Sequence, residues 1–250
     1  MDNTKLKMRL ENKVQTLQES TETVSDLQHG YIALNNNALD IIKANLKNKP
    51  LSPELLDTVK SPSGGSTVFS VPGLYGDEAE KEITGIILDY TTPRAYWNTP
   101  DPIEGTPPVC FSTDSIVSCD GKACVSCPYN DFGSKDGETN AKACKESVLL
   151  FILRPNNILP IMVRIPVTSK PRFLKYTARL VGNMTSINGV VTRITLEKAT
   201  SKSGKPYALY NFEAVSVLAP EETAVVRSYA HQFIENMNIS ELPAESALVS

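Results

Sequence analysis

The sequence predicts a mainly β protein, α+β overall: a five-stranded barrel with a cysteine-rich insertion after its first strand, an N-terminal helical segment and a C-terminal helix. Three observations predict it. Five segments between residues 83 and 218 carry apolar side chains in the pattern of strands, one segment of helical spacing falls between the third and fourth of them, and a stretch rich in Pro, Gly, Asp and Cys separates the first from the second.

Residues 1–60 read as short helices. Leu6, Leu10, Val14, Leu17, Val24 and Leu27 recur at heptad-like spacing, residues 38–46 are apolar with helical period, and Ser52-Pro53-Glu54 is a capped start. The apolar positions of the opening are sparse for an independent core, so copies on neighbouring molecules would share them in a homo-oligomer. Ser61-Pro62-Ser63-Gly64-Gly65-Ser66 is a linker. The main domain then spans residues 67–219. Its first strand, residues 83–90, places Ile86, Leu88 and Tyr90 on one side and Ile87 and Asp89 on the other. The insertion occupies residues 98–145. Strands at 148–153 and 159–166 form a hairpin about Pro155-Asn156-Asn157. Ser169 is an N-cap candidate for a helix with Pro171 in its first turn; Phe173, Tyr176 and Leu180 fall on one face, and Gly182 ends it. Residues 189–199 and 207–218 alternate about the turn at 201–206. Residues 220–250 are a helix with Glu221 and Glu222 in its first turn, followed by a tail.

A chain of 250 residues with a formal net charge of -3 is long enough to bury a substantial core. Charge is unevenly spread, since residues 143–210 carry eleven Lys or Arg against only Glu146 and Glu197. Such a block points to an anionic partner at one face. The charged residues 1–13 resemble no secretory signal, and the longest apolar run, 148–153, is too short to span a bilayer, so the expected location is cytoplasmic with no membrane partner.

All five cysteines lie between Cys110 and Cys144, spaced Cys110-x8-Cys119-x4-Cys124-x2-Cys127-x16-Cys144. A reducing compartment disfavours disulfides, and two thiolates separated by two residues can turn around one ion. Small zinc ribbons commonly add one ligand before such a pair and one after, which selects Cys110, Cys124, Cys127 and Cys144 for a structural zinc site. Cys119 is then the spare, although Cys119-x4-Cys124 competes for the same ion.

The order strand, insertion, strand, strand, helix, strand, strand is that of the OB-fold, a platform for oligonucleotides. Outward positions on the strands and turns give Arg94, Arg154, Arg164, Arg193, Lys198, Lys202 and Lys205 as candidates to track a phosphate backbone. Tyr96, Trp97, Tyr207 and Tyr210 are the candidates for stacking on bases, with Trp97 the strongest because it lies where the insertion leaves the first strand. An aromatic on a strand is more often core than platform. For Lys170, Arg172, Lys175 and Arg179 a solvated helical face is the preferred reading.

Several runs carry a resemblance. They are residues 59–65, Tyr96-Trp97, Pro108-Val109-Cys110-Phe111-Ser112-Thr113-Asp114, residues 124–134 from Cys124-Val125-Ser126-Cys127-Pro128 onward, Lys142-Ala143-Cys144-Lys145, and Ile165-Pro166-Val167-Thr168-Ser169. Across residues 55–220 the chain resembles a family of proteins from tailed phages and related mobile elements, which implies a setting in DNA replication or recombination, with replication proteins as partners. In architecture it is similar to the zinc-ribbon OB domain of eukaryotic replication protein A, whose ribbon ligands would match Cys110, Cys124, Cys127 and Cys144. The tail, residues 242–250, lacks the dense acidic tip that many single-stranded DNA-binding proteins use to recruit partners.

An enzyme is not expected. His29 and His231 lie outside the strand core, and the acids Asp114, Asp120, Asp131 and Asp136 belong to a polar loop rather than to the ends of adjacent strands. The expectation is a non-sequence-specific single-stranded DNA-binding protein whose affinity falls steeply with salt. The alternative is a zinc-stapled structural or protein-interaction module that does not touch DNA.

Overall fold

The computed structural model describes residues 30–31, 38–47, 49, 51–59, 62, 64–99, 106–138, 140–201 and 204–237. The heptad-like opening, the self-association expected of it, Lys202 and the C-terminal tail lie outside the described residues. The protein is mostly β. Its strands are β1 (Thr58–Val59), β2 (Phe69–Gly73), β3 (Gly76–Glu80), β4 (Glu82–Thr91), β5 (Arg94–Tyr96), β6 (Cys110–Ser112), β7 (Lys145–Leu153), β8 (Ile161–Pro166), β9 (Val190–Thr200) and β10 (Pro206–Val217). The helices are α1 (Ala38–Asn45), α2 (Lys170–Gly182) and α3 (Pro220–Asn236). Among the described residues no helix is long and apolar enough to cross a membrane.

The five predicted strands are consecutive members of one curled open sheet, ordered β1-β8-β7-β4-β9-β10, with β5 and β6 added beside the start of β7. The ladder stops short of a closed barrel: on the outer edge of β8 the short β1 pairs in parallel, Val59 opposite Val163. The sheet thus reaches back before residues 61–66. Gly65 (φ +73) turns the chain beside the β9–β10 hairpin, where an added Cβ would stand 3.0 Å from Pro206 Cβ.

Two cores lie on the two faces of this sheet. Val148, Leu150 and Ile152 point inward with Ile83, Ile87, Val163, Ile194 and Tyr210, and α2 closes that side with Phe173, Tyr176 and Leu180. Leu149, Phe151 and Leu153 point outward with Ile86, Leu88 and Val191, where α3 covers them with Val226, Tyr229 and Phe233. A strand segment of period 2 that is apolar at every position has to be buried on both sides, and residues 148–153 of β7 are.

Three local departures from the sequence reading have physical causes. A register shift between Ile87 and Asp89 leaves Leu88 as an extra residue, so Tyr90 does not share the face of Ile86 and Leu88 but meets Phe173 edge-on, ring centroids 5.0 Å apart. The hairpin β2–β3, absent from the sequence reading, sends Phe69 and Val71 into the inner core, while its acidic second strand alternates nothing apolar. Ser169 stands at the N-cap of α2 without capping it; its buried Oγ instead accepts the Tyr210 backbone N–H at 3.0 Å, tying the helix to β10.

Gly85 sits where β4 crosses β7, and an added Cβ would lie 2.5 Å from both Ile152 Cγ2 and the Leu153 carbonyl oxygen. Gly85→Ala should lower the unfolding free energy by about 2 kcal/mol or more, an overpacking cost against a backbone that cannot yield. Gly182→Ala, at the end of α2 with open space around it, should leave stability unchanged or raise it by a few tenths of a kcal/mol. Urea unfolding of the two variants checks both.

Candidate functional site

The insertion is rooted on a small ladder. β5 pairs β6 with Tyr96 opposite Cys110, and pairs β7 on its other side with Ala95 opposite Lys145, which places Cys110 and Cys144 on either side of Tyr96. From β6 the chain turns back through a strap on the β4–β5 junction. Thr91 Oγ1 donates to the Thr113 carbonyl, Thr92 Oγ1 donates to the Asp114 carbonyl at 3.0 Å, and Arg94 Nε donates to Ser115 Oγ at 2.8 Å. Ser115, at φ 65, makes the turn. Asp114 fixes it: Oδ1 accepts the Ile116 and Val117 backbone N–H groups at 2.8 and 3.3 Å and the Ser112 hydroxyl at 3.0 Å. The Ile116 N–H leads in holding the Asp114 carboxyl below the ordinary carboxylate range.

Little else inside the insertion is buried. Between residues 106 and 144 only Ser112 and Cys124 among the described residues are buried, and the nearest apolar cluster is Ala95 and Trp97 with Phe111 against them. Among the described residues one group of possible ligands is drawn together in this core-poor loop, and of the predicted set Cys110, Cys124, Cys127 and Cys144 it contains Cys110 alone. The Cys110 and Cys119 sulfurs and an Asp120 carboxylate oxygen lie within 4.8 Å of one another, close enough to share one ion. Cys144 lies in the field of Cys127, Cys110 and Cys124, with the Arg94 guanidinium opposing them in favour of its thiolate. Burial leads in pushing the Cys110 and Cys144 thiols up to about 11. Sulfur donors packed where apolar burial does not hold the chain suit a thiophilic metal ion, which takes them as thiolates and releases their protons. The structure brings Cys119, the spare by spacing, directly beside Cys110.

Several of the basic candidates are engaged in ion pairs within the chain. Arg94 is 7% exposed and pairs with Glu146 at 3.1 Å, whose other oxygen takes Lys170. Arg154 pairs with Glu80 at 2.8 Å and Arg193 with Glu213 at 2.8 Å. Arg172 of α2 binds Glu197 at 2.9 Å. Arg164 is half-buried, and burial leads in drawing its pKa down to about 10, with Tyr210 nearby. Glu80 and Glu213 lie outside the basic block and Glu146 and Glu197 within it, so charges separated in sequence cancel in space. Lys198 and Lys205 are exposed at the β9–β10 hairpin.

The aromatic candidates are likewise redistributed. Trp97 is 6% exposed and donates its indole N–H to the Thr106 carbonyl at 2.9 Å; Tyr210 is 1% exposed in the inner core. Neither presents a ring to solvent, because each is used to close packing where the insertion or β10 meets the sheet. Tyr207 is half-buried beside the hairpin turn. Tyr96 stacks on Tyr129, ring centroids 3.9 Å apart and 15° from parallel. Tyr129 and the exposed Phe132, which the sequence reading passed over, carry a signal visible in hindsight: two aromatics three residues apart in a polar loop directly after the Cys124-x2-Cys127 pair.

Comparison with family models, with curated proteins and with solved structures yields no match to this chain.

The Asp114 bonds generate a pH dependence. A carboxyl with depressed pKa adds stability that is present above its unfolded value, ~3.9, and is lost as pH falls through its folded value. Amide proton shifts of Ile116 and Val117 should therefore titrate with a midpoint below ~3.9; a midpoint at or above it would contradict the bonding described.

Proposed function

We propose that the chain is a single-stranded DNA-binding protein on an OB-type barrel, with zinc held by Cys110, Cys124, Cys127 and Cys144 stapling the loop between the first and second barrel strands. The observation that carries the reading is the strand order. An OB barrel opened along the seam between its third and fifth strands gives β8-β7-β4-β9-β10, with the helix between the third and fourth strands where α2 lies. The two loops that flank an oligonucleotide in that fold correspond to the cysteine insertion and the β9–β10 hairpin carrying Lys198 and Lys205. The resemblance to phage and mobile-element proteins adds a setting in replication or recombination, in host cytoplasm, with replication proteins and further copies of the chain as partners. Zinc would be structural, since a shell of four thiolates leaves no position for a reacting water.

One observation favours the second reading, a zinc-stapled interaction module. The outer faces of β4 and β7 lie beneath α3, and Arg94, Arg154 and Arg193 are engaged in ion pairs within the chain. These pairs also revise the salt dependence. If Lys198, Lys202 and Lys205 are the candidates that meet phosphates, log K should fall against log salt with a slope of only about -1.5 to -2, rather than steeply.

An anisotropy titration comparing single-stranded DNA, duplex DNA and RNA from ~50 to ~200 mM salt tests the function. Preference for single strands with that shallow slope supports it, and no binding at the lowest salt leaves the interaction module. Metal analysis of the purified protein should give one zinc per chain. Ser at Cys110, Cys124, Cys127 or Cys144 should abolish it and Cys119→Ser should retain it. Loss of zinc from C119S would instead make Cys119 a ligand.

A further inference from the structure

We propose that unpaired nucleobases stack on Tyr129 and Phe132 of the insertion, an assignment that rests on the single-strand-binding reading and moves the platform away from Trp97 and Tyr210. Tyr129 is 45% exposed and its ring is stacked on Tyr96, ring centroids 3.9 Å apart, so a flat, partly exposed surface is already assembled. Its backbone is held as well, the carbonyl accepting the Cys144 N–H at 2.8 Å and the Ser134 hydroxyl at 3.0 Å. A platform fixed in this way loses little freedom when a base settles on it. Phe132 is 77% exposed, and the Lys142 ammonium sits 4.4 Å from its ring centroid, anchored by Asn130 Oδ1 at 3.0 Å.

An ammonium over one face of an exposed ring suits a nucleotide whose base meets the ring's other face while its phosphate meets the cation. Charge in the insertion is otherwise acidic, Lys122, Lys135, Lys142 and Lys145 standing against Asp101, Glu104, Asp114, Asp120, Asp131, Asp136 and Glu138. Stacking rather than long-range attraction then supplies the affinity, and because every base has a π-face the site accepts any sequence.

The test is an anisotropy titration of the intact, zinc-loaded protein with labelled oligo-dT and, in parallel, oligo-U of equal length. Phe132→Ala should weaken binding about tenfold and Phe132→Trp should preserve it, as removal and retention of one stacked base predict. Tyr129→Ala should give a similar loss, with zinc content and circular dichroism checking that the insertion remains assembled. Tyr75→Ala, at a ring 97% exposed on the β2–β3 hairpin, should bind like the unaltered protein. Full affinity in Phe132→Ala overturns the assignment while single-strand binding stands. No binding of either oligonucleotide by the unaltered protein overturns both, and leaves the rings to a protein partner.

Discussion

Six successive apolar residues of β7, Val148 to Leu153, are all buried, and because neighbouring side chains on a strand point to opposite faces, three of them require a cover on each side of the sheet. Full burial of such side chains contributes about 1.5–3 kcal/mol each, an upper estimate because unfolded chains already hide some surface. Six of them together match the whole net stability of an ordinary domain, roughly 5–15 kcal/mol. From this one demand follow α2 and the β2–β3 hairpin on the inner side and α3 on the outer. Neither helix is an appendage, and α3 is a wall of the second core.

The other end of β7 works by polar contacts. At Lys145 and Glu146 the strand leaves the core and meets β5, and Glu146 binds Arg94 from the insertion's root and Lys170 from α2. Ion pairs so little exposed contribute modestly once desolvation is subtracted, but losing one partner strands the other charge. Their effect is therefore on alignment more than on stability. Arg94 also reaches Ser115, so the turn between Cys110 and Cys119, the root of the loop and the first turn of α2 are all referred to one carboxylate.

Elements that bury an alternating face were legible in the sequence. The strands that became β4, β7, β8, β9 and β10 were, as were α2 and α3, and Arg193 does point away from Val190 and Ile194. What escaped was set by partners distant in the chain. Leu88 becomes a bulge only because of how β4 meets β7, and two residues of β1 form a strand only because β8 offers an edge. Trp97 and Tyr210 are placed by packing that no local pattern announces, and the arginines found carboxylates far along the chain, Arg154 meeting Glu80 and Arg94 meeting Glu146. A clustering of possible metal ligands was legible from spacing, but its membership was not: Cys119 and Asp120 join Cys110 because the turn between them brings the Cys119 N–H to the Phe111 carbonyl.

The pairing of Ala95 with Lys145 carries an evolutionary consequence. The chain leaves β5 after Tyr96 and rejoins the ladder at Lys145 on the adjacent strand, so the two ends of the segment already touch, with β6 and residues 113–115 tying its first part to β5 and the β4–β5 junction. Closing such a loop costs entropy that grows only with the logarithm of its length. Lineages could lengthen, shorten or exchange the part of the segment beyond residue 115 without disturbing either core, letting its surface diversify while the sheet that carries it stays fixed.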